Sequence, residues 1–255
     1  MQAVRSYLFH INMIVSVVIY VSLAMLFWPL PFEKRDRIIK QWVRYQVWML
    51  KVLCNLRYEV EGRENIPEGG FVVLAKHQST WETFAFQMVF PPIVWVAKRE
   101  LLFVPWFGWG LAMLEPIMID RKSGKRALDQ VIEQGGKRLG QGRCVVIFPE
   151  GTRVEAGTRR KYGLGGPLLA ARTGYPVVPV AHNAGSYWGR RSHVIKPGVI
   201  RLIIGPVINS KDKEAEAIRD SAETWIENKM MELEGRNEWA AIVKSAHPGR
   251  KKKRS

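Results

Sequence analysis

The chain has 255 residues, enough for one domain with a core of useful size. A formal charge of +16 calls for polyanionic company, and ten Trp residues beside that charge favour a lipid–water interface over a purely aqueous setting. Cys54 and Cys144 are the only cysteines and lie ninety residues apart, which excludes a disulfide framework and a Cys-based zinc site and points to a reducing cytoplasm.

Residues 11–28 (INMIVSVVIYVSLAMLFW) carry no charge over eighteen positions, just long enough to cross a bilayer. The run lacks a small-x-small cleavage site, so a retained helix is expected rather than a signal peptide. Lys34, Arg35, Arg37 and Lys40 follow directly, and the positive-inside rule places what comes next in the cytoplasm. His10, Asn12 and two serines at this depth keep a shallow or re-entrant helix open as the competing geometry. Residues 38–56 mix apolar and basic side chains as an interfacial helix does, with Lys and Arg reaching to headgroups, or as an ordinary core-packing helix would.

Further on, strand compositions at 58–61, 71–75, 93–97, 116–120, 144–148, 177–181 and 199–208 alternate with helical ones at 80–90, 124–138 and 167–173. Such alternation predicts an α/β sheet with helices on its faces. Residues 211–234 carry an apolar stripe on a charged helix, as a surface helix packed on the core would. The basic run 250–254 would add attraction to anionic lipid near a membrane. There is no internal repeat, no Walker loop, no Gly-x-Ser-x-Gly elbow and no His-Glu-x-x-His.

Residues 71–84 (FVVLAKHQSTWETF) read as a buried strand running into a helix, with His77 and Glu82 at the joint. On one continuous helix, residues five apart point roughly 140° away from each other, so the two side chains meet only if His77 lies in the loop and Glu82 in the first helical turn. That arrangement suits a general base held by a carboxylate. Ser79-Thr80-Trp81-Glu82 also spells a capping box, in which Glu82 merely starts the helix; the two roles compete for one carboxylate.

A second buried strand, 144–148, is followed at once by Pro149-Glu150-Gly151-Thr152-Arg153, a turn suited to binding an anion through a guanidinium and backbone N–H groups. Together, His77-x4-Glu82 and Phe148-Pro-Glu-Gly-Thr-Arg153 resemble the lysophosphatidic acid acyltransferase family of the glycerolipid acyltransferases. The block Lys98-Arg-Glu-Leu-Leu-Phe-Val-Pro105-x-x-Gly108 and the block Tyr175-Pro-Val-Val-Pro179-Val-Ala agree, so the resemblance covers roughly residues 71–181. Two departures stand out: Glu82 where the family usually has Asp, and no Gly in Leu114-Glu-Pro-Ile-Met-Ile-Asp-Arg121. The first is mild, while the second bears on the contour of the acceptor or acyl pocket.

The resemblance implies a mixed, mostly parallel sheet flanked by helices over residues 57–240, behind a membrane-embedded helical pair at 1–56 and before a basic tail at 241–255. It implies acyl transfer from acyl-CoA or acyl carrier protein to the hydroxyl of 1-acyl-sn-glycerol-3-phosphate, at the cytoplasmic membrane, with no cofactor and no metal. Anionic membrane lipids are expected as partners and nucleic acid is not. His77 would be the base and Glu82 its partner. Arg153, with Glu150, Gly151 and Thr152 of its turn, would meet the acceptor phosphate, joined by Lys98 and Arg121; a structural Arg153–Glu150 ion pair is the alternative. Leu101, Phe103, Trp106, Phe107 and Leu111 would line an acyl groove, dip into the bilayer, or simply pack in the core. No Ser or Cys with a matched base is apparent, which favours direct attack by the acceptor over an acyl-enzyme and counts against a hydrolase. A different lysolipid acceptor stays open. A membrane-anchored nucleic-acid binder would explain the charge and leave both motifs without purpose.

Overall fold

The computed structural model describes residues 1–120, 123–238 and 241–243, so Arg121 and the basic run 250–254 lie outside the described residues. Two long helices open the chain, α1 (Gln2–Ala24) and α2 (Phe32–Cys54). They run antiparallel: Tyr20 Oη donates to Ile38 O, Trp42 Nε1 to Ser16 Oγ, and Gln2 Nε2 to Cys54 O. Asn55, in the left-handed region at φ 51°, ends α2.

The polar residues that interrupt the apolar run of α1 have protein partners. Asn12 bonds Tyr45, Ser16 accepts from Gln46, and His10 Nε2 meets His193 O. Both ends of α1 rest on the rest of the protein. Ser6 Oγ accepts from the Ile195 N–H near one end, and Ser22 Oγ from Trp106 Nε1 near the other. By length and composition α1 can cross a membrane. Its outer face exposes an apolar stripe of Leu8, Ile11, Val15, Ile19 and Leu23.

From Leu56 onward the chain builds an α/β unit. Its strands are β1 (Leu56–Glu61), β2 (Phe71–Ala75), β3 (Ile93–Lys98), β4 (Ile117–Ile119), β5 (Cys144–Ile147), β7 (Val177–His182) and β8 (Gly198–Ile204), in the order β1-β8-β7-β2-β5-β3-β4. Every neighbouring pair is parallel except β7 with β8. The continuous apolar runs of β2 and β5 fit central strands covered on both faces. A second, two-stranded parallel sheet pairs β6 (Thr158–Arg160) with β9 (Ala241–Val243).

Alternation along the strands divides the core in two. Phe71, Val73, Val146 and Val178 pack on one face with Leu50 of α2 and with Trp81 and Phe86 of α3 (Trp81–Val89). Val72, Leu74, Val145 and Val177 pack on the other with α5 (Lys125–Gly140), α6 (Gly165–Thr173) and α8 (Ala215–Glu234). The expected strands and longer helices are present with ends moved by a few residues. The short helices α4 (Phe107–Ala112) and α7 (Ala184–Tyr187) and the small sheet were not expected.

Candidate active site

The C-terminal ends of the adjacent strands β2 and β5 bring the two motifs together, the position where parallel sheets carry their ligands. His77 follows β2 in a loop and Glu82 sits in the first turn of α3, as their spacing required. His77 Nδ1 lies 2.5 Å from Glu82 Oε2. The other oxygen, Oε1, accepts the backbone N–H groups of Gln78 at 2.6 Å and Ser79 at 2.5 Å, while Ser79 Oγ accepts from the Trp81 N–H. The capping box and the dyad therefore coexist. The competition expected between them does not arise, because each carboxylate oxygen takes one role.

Glu82 is fully buried, whereas the His77 side chain keeps 17% of its surface exposed. Burial alone would lift the Glu82 carboxyl, but His77, the nearby His182 and the Gln78 N–H outweigh it and hold the group below the ordinary carboxylate range. Phe148 stacks on the imidazole with ring centres 3.9 Å apart and planes 10° apart, which fixes the ring's tilt. Nδ1 is committed to Glu82, which leaves Nε2 free of that contact.

The 148–154 turn is bolted to the His77 loop at two points. The His77 N–H donates to Glu150 Oε2 at 2.8 Å, and the Val154 N–H donates to His77 O at 2.7 Å. Gly151 closes the turn onto Phe148 O with φ 71°, a conformation that favours glycine. Glu150, expected beside the acceptor phosphate, instead points inward: its Oε1 lies 2.8 Å from Lys76 Nζ, with both side chains wholly buried. The Arg153–Glu150 pair is accordingly absent, and Arg153 is half-buried without a carboxylate partner among the described residues. Thr152 is half-buried beside it, and Lys98 is exposed at the end of β3.

Lys76 is the buried neighbour of the site that sequence reasoning missed. Its ammonium also meets Glu227 of α8 at 2.9 Å, and Tyr162 Oη donates to that same carboxylate at 2.6 Å. Burial works against the Lys76 charge, but Glu150 and Glu227 outweigh it and raise its pKa. Burial pushes the Glu150 carboxyl up to about 8, with Lys76 opposing and Glu227 adding to the rise. A lysine at the end of an otherwise apolar strand was the available signal, since a buried ammonium requires carboxylate partners.

A small recess of about 130 Å³ opens beside Gly151, lined among others by Val96, Ile147, Phe148, Pro149 and Gly166. None of the five residues expected in an acyl groove lines it. Phe103 and Phe107 are 76% and 44% exposed, while Leu101, Trp106 and Leu111 are half-buried. This segment packs on α1, where Gly110 approaches Val21 closely and Trp106 Nε1 donates to Ser22 Oγ. Among the described residues, no group of three or more His, Cys, Asp or Glu is placed to hold a metal ion.

Comparison with known proteins decides what this geometry belongs to. The family called Acyltransferase matches residues 57–183, which span both motifs. The 1-acyl-sn-glycerol-3-phosphate acyltransferase of Pseudomonas aeruginosa is 44% identical over 237 residues, covering 91% of this chain and 92% of its own. The chain belongs to this acyltransferase family. The Saccharomyces cerevisiae protein of the same name is 30% identical over 196 residues, 71% of this chain and 64% of its own. The crystal structure of the 1-acyl-sn-glycerophosphate acyltransferase PlsC from Thermotoga maritima superposes with a TM-score of 0.75. At 24% identity, over 92% of this chain and 99% of that one, it shares the acyltransferase fold seen here, the helix-flanked, mostly parallel sheet. The protein is thus an acyltransferase of the 1-acylglycerol-3-phosphate type.

Proposed function

We propose that the enzyme acylates the free hydroxyl of 1-acyl-sn-glycerol-3-phosphate, giving phosphatidic acid, with acyl-CoA or acyl carrier protein as donor. The observation that carries the chemistry is the His77 Nδ1–Glu82 contact, which leaves Nε2 for the substrate. With the proton held on Nδ1 by an ionised Glu82, Nε2 takes the proton of the acceptor hydroxyl as its oxygen attacks the thioester carbonyl. The C–O ester bond forms, the C–S bond breaks, and the imidazolium returns the proton to the departing thiolate. Direct attack needs no resident cofactor.

The acceptor phosphate is assigned to Arg153, whose guanidinium has no carboxylate to hold it among the described residues and which stands in the turn that follows β5. Lys98 is a second candidate at the same edge of the sheet, and Arg121 a third. Phe103 and Phe107, with the exposed stripe of α1, are assigned to the membrane surface from which the lipid arrives. The basic residues of α2 favour anionic lipid there, with the catalytic unit on the cytoplasmic side.

The test is conversion of 1-acylglycerol-3-phosphate and labelled acyl-CoA or acyl carrier protein by the purified enzyme in mixed micelles. Labelled phosphatidic acid is expected, and whichever thioester has the higher kcat/KM identifies the donor. Release of free fatty acid without phosphatidic acid, or equal rates with an acceptor lacking the phosphate, overturns the assignment.

A further inference from the structure

We propose that His182, at the end of β7, is a positioning residue that sets the His77–Glu82 pair; this rests on the assignment of His77 as base. β2 lies between β5 and β7, so the His77 loop is held from two sides. From β5 the hold is Glu150, described above. From β7 it is the His182 imidazole, completely buried, with Nε2 at 3.0 Å from Lys76 O and 3.4 Å from Glu82 Oε1. Lys76 immediately precedes His77, so one ring touches the chain on either side of the base's own contact.

The protonation of His182 follows from its surroundings. The Ala184 N–H donates to Nδ1 at 3.3 Å, so Nδ1 carries no hydrogen and the ring's proton is on Nε2. That N–H donates to the Lys76 carbonyl, and Glu82 Oε1 lies 3.4 Å from the same nitrogen. Burial depresses the His182 pKa, with Glu82 pulling the other way and His77 and Lys76 adding to the depression, which keeps the ring neutral. A neutral ring 3.4 Å from Glu82 Oε1 sets the position of that oxygen without adding a positive charge, leaving Oε2 and the charge of Glu82 to His77. Trp81 and Phe86 pack edge-on against the ring, each with centroids 6.0 Å away, and fix its plane. A buried imidazole with both nitrogens used, one of them on the carbonyl just before the base, is a device for geometry rather than core filling.

Two amides separate the two nitrogens. The carbonyl of His182→Asn can still accept from Ala184 but falls short of Lys76 and Glu82, while the longer His182→Gln places an N–H near the position of Nε2. His182→Asn is expected to lower kcat by about 10- to 100-fold, in the range for leaving a buried acceptor unsatisfied, with both KM values little changed. His182→Gln is expected to recover most of that loss. Because the effect passes through Glu82, His182→Asn is expected to cost nothing further in a Glu82→Gln background. Full additivity in that cycle, or a wild-type kcat for His182→Asn, overturns the proposal. If His182→Asn melts below the assay temperature, His182→Gln decides alone: a kcat within about threefold of wild type supports the role, and a loss of about tenfold or more overturns it. His77→Ala is measured alongside; full turnover there would remove the base assignment itself, which no His182 result can do.

Discussion

Lys76 Nζ and Glu150 Oε1 lie 2.8 Å apart with both side chains wholly buried, one carried by the His77 loop and the other by the 148–154 turn. The contact joins the two motifs underneath the site, and Glu227 of α8 closes it from the opposite layer. Removing the cation leaves two buried carboxyls facing each other. Lys76→Met is therefore expected to destabilise the protein by about 3–5 kcal/mol, the range for breaking a buried pair. Chemical denaturation measures it, and a change below about 1 kcal/mol would mean that the network is not stabilising.

The same cluster predicts a pH dependence of stability. The folded-state pKa of Glu150 is raised to about 8, above that of an unfolded glutamate. The folded state thus binds the extra proton between the two values. Its contribution is fully present below the unfolded pKa and is lost as pH rises through about 8. One proton limits the slope to about 1.4 kcal/mol per pH unit. Melting curves from pH 6 to 9 should show Tm falling, and Glu150→Gln should flatten that fall; an identical slope in the variant counts against Glu150 as its source.

For the base itself, His77→Ala is expected to lower kcat by about 10²–10⁴-fold without loss of fold. Glu82→Gln keeps an acceptor for the Gln78 and Ser79 N–H groups but removes the charge beside Nδ1, so it should lose kcat more than stability. Glu82→Asp should retain substantial activity. Turnover assays paired with melting curves separate these outcomes, and normal turnover in His77→Ala sinks the mechanism.

Arg153→Ala is expected to raise the KM for the phosphate-bearing acceptor much more than the KM for the thioester, because its contact is remote from the reacting carbonyl. Arg153→Lys should recover part of the loss, keeping the charge but not the paired fork. Arg153 holds no carboxylate among the described residues, so little change in Tm accompanies either substitution. Equal effects on both KM values would move the phosphate to Lys98 or Arg121.

The outer face of α1 offers a test of membrane attachment that spares the fold. Ile11, Ile14 and Ile19 are 58%, 60% and 57% exposed, so replacing all three with Asp breaks no core contact. The triple variant should leave vesicles for the soluble fraction while keeping its melting temperature in detergent. Undiminished vesicle binding would place the attachment elsewhere. Deleting the whole helix is a poorer test, since Phe9 is fully buried against Trp188 and its removal uncovers core.

The elements most legible in the sequence were local ones. β2 and β5 announced themselves as unbroken apolar runs because a central parallel strand has no polar face. The His77–Glu82 joint was legible because five residues fix which side chains can meet across a loop and a helical first turn. Arg153 stood out because a guanidinium in a Gly-containing turn at a strand end is an anion site in miniature. Residues 101–111 were legible only as apolar: composition does not distinguish a groove from an exposed face, and that depends on α1 lying alongside.

Sequence by itself determined the longer helices, the strands of the main sheet, the dyad and the motif turn, since each rests on contacts within a few residues or on a periodic pattern. Tertiary structure alone decided which way Glu150 points, that Lys76 meets Glu227 from 151 positions away, and that His182 meets Lys76 from 106. The physical reason is strand order. Placing β2 between β5 and β7 brings three chain segments to one edge of the sheet, and a buried charge or imidazole there must be satisfied by whatever that order supplies.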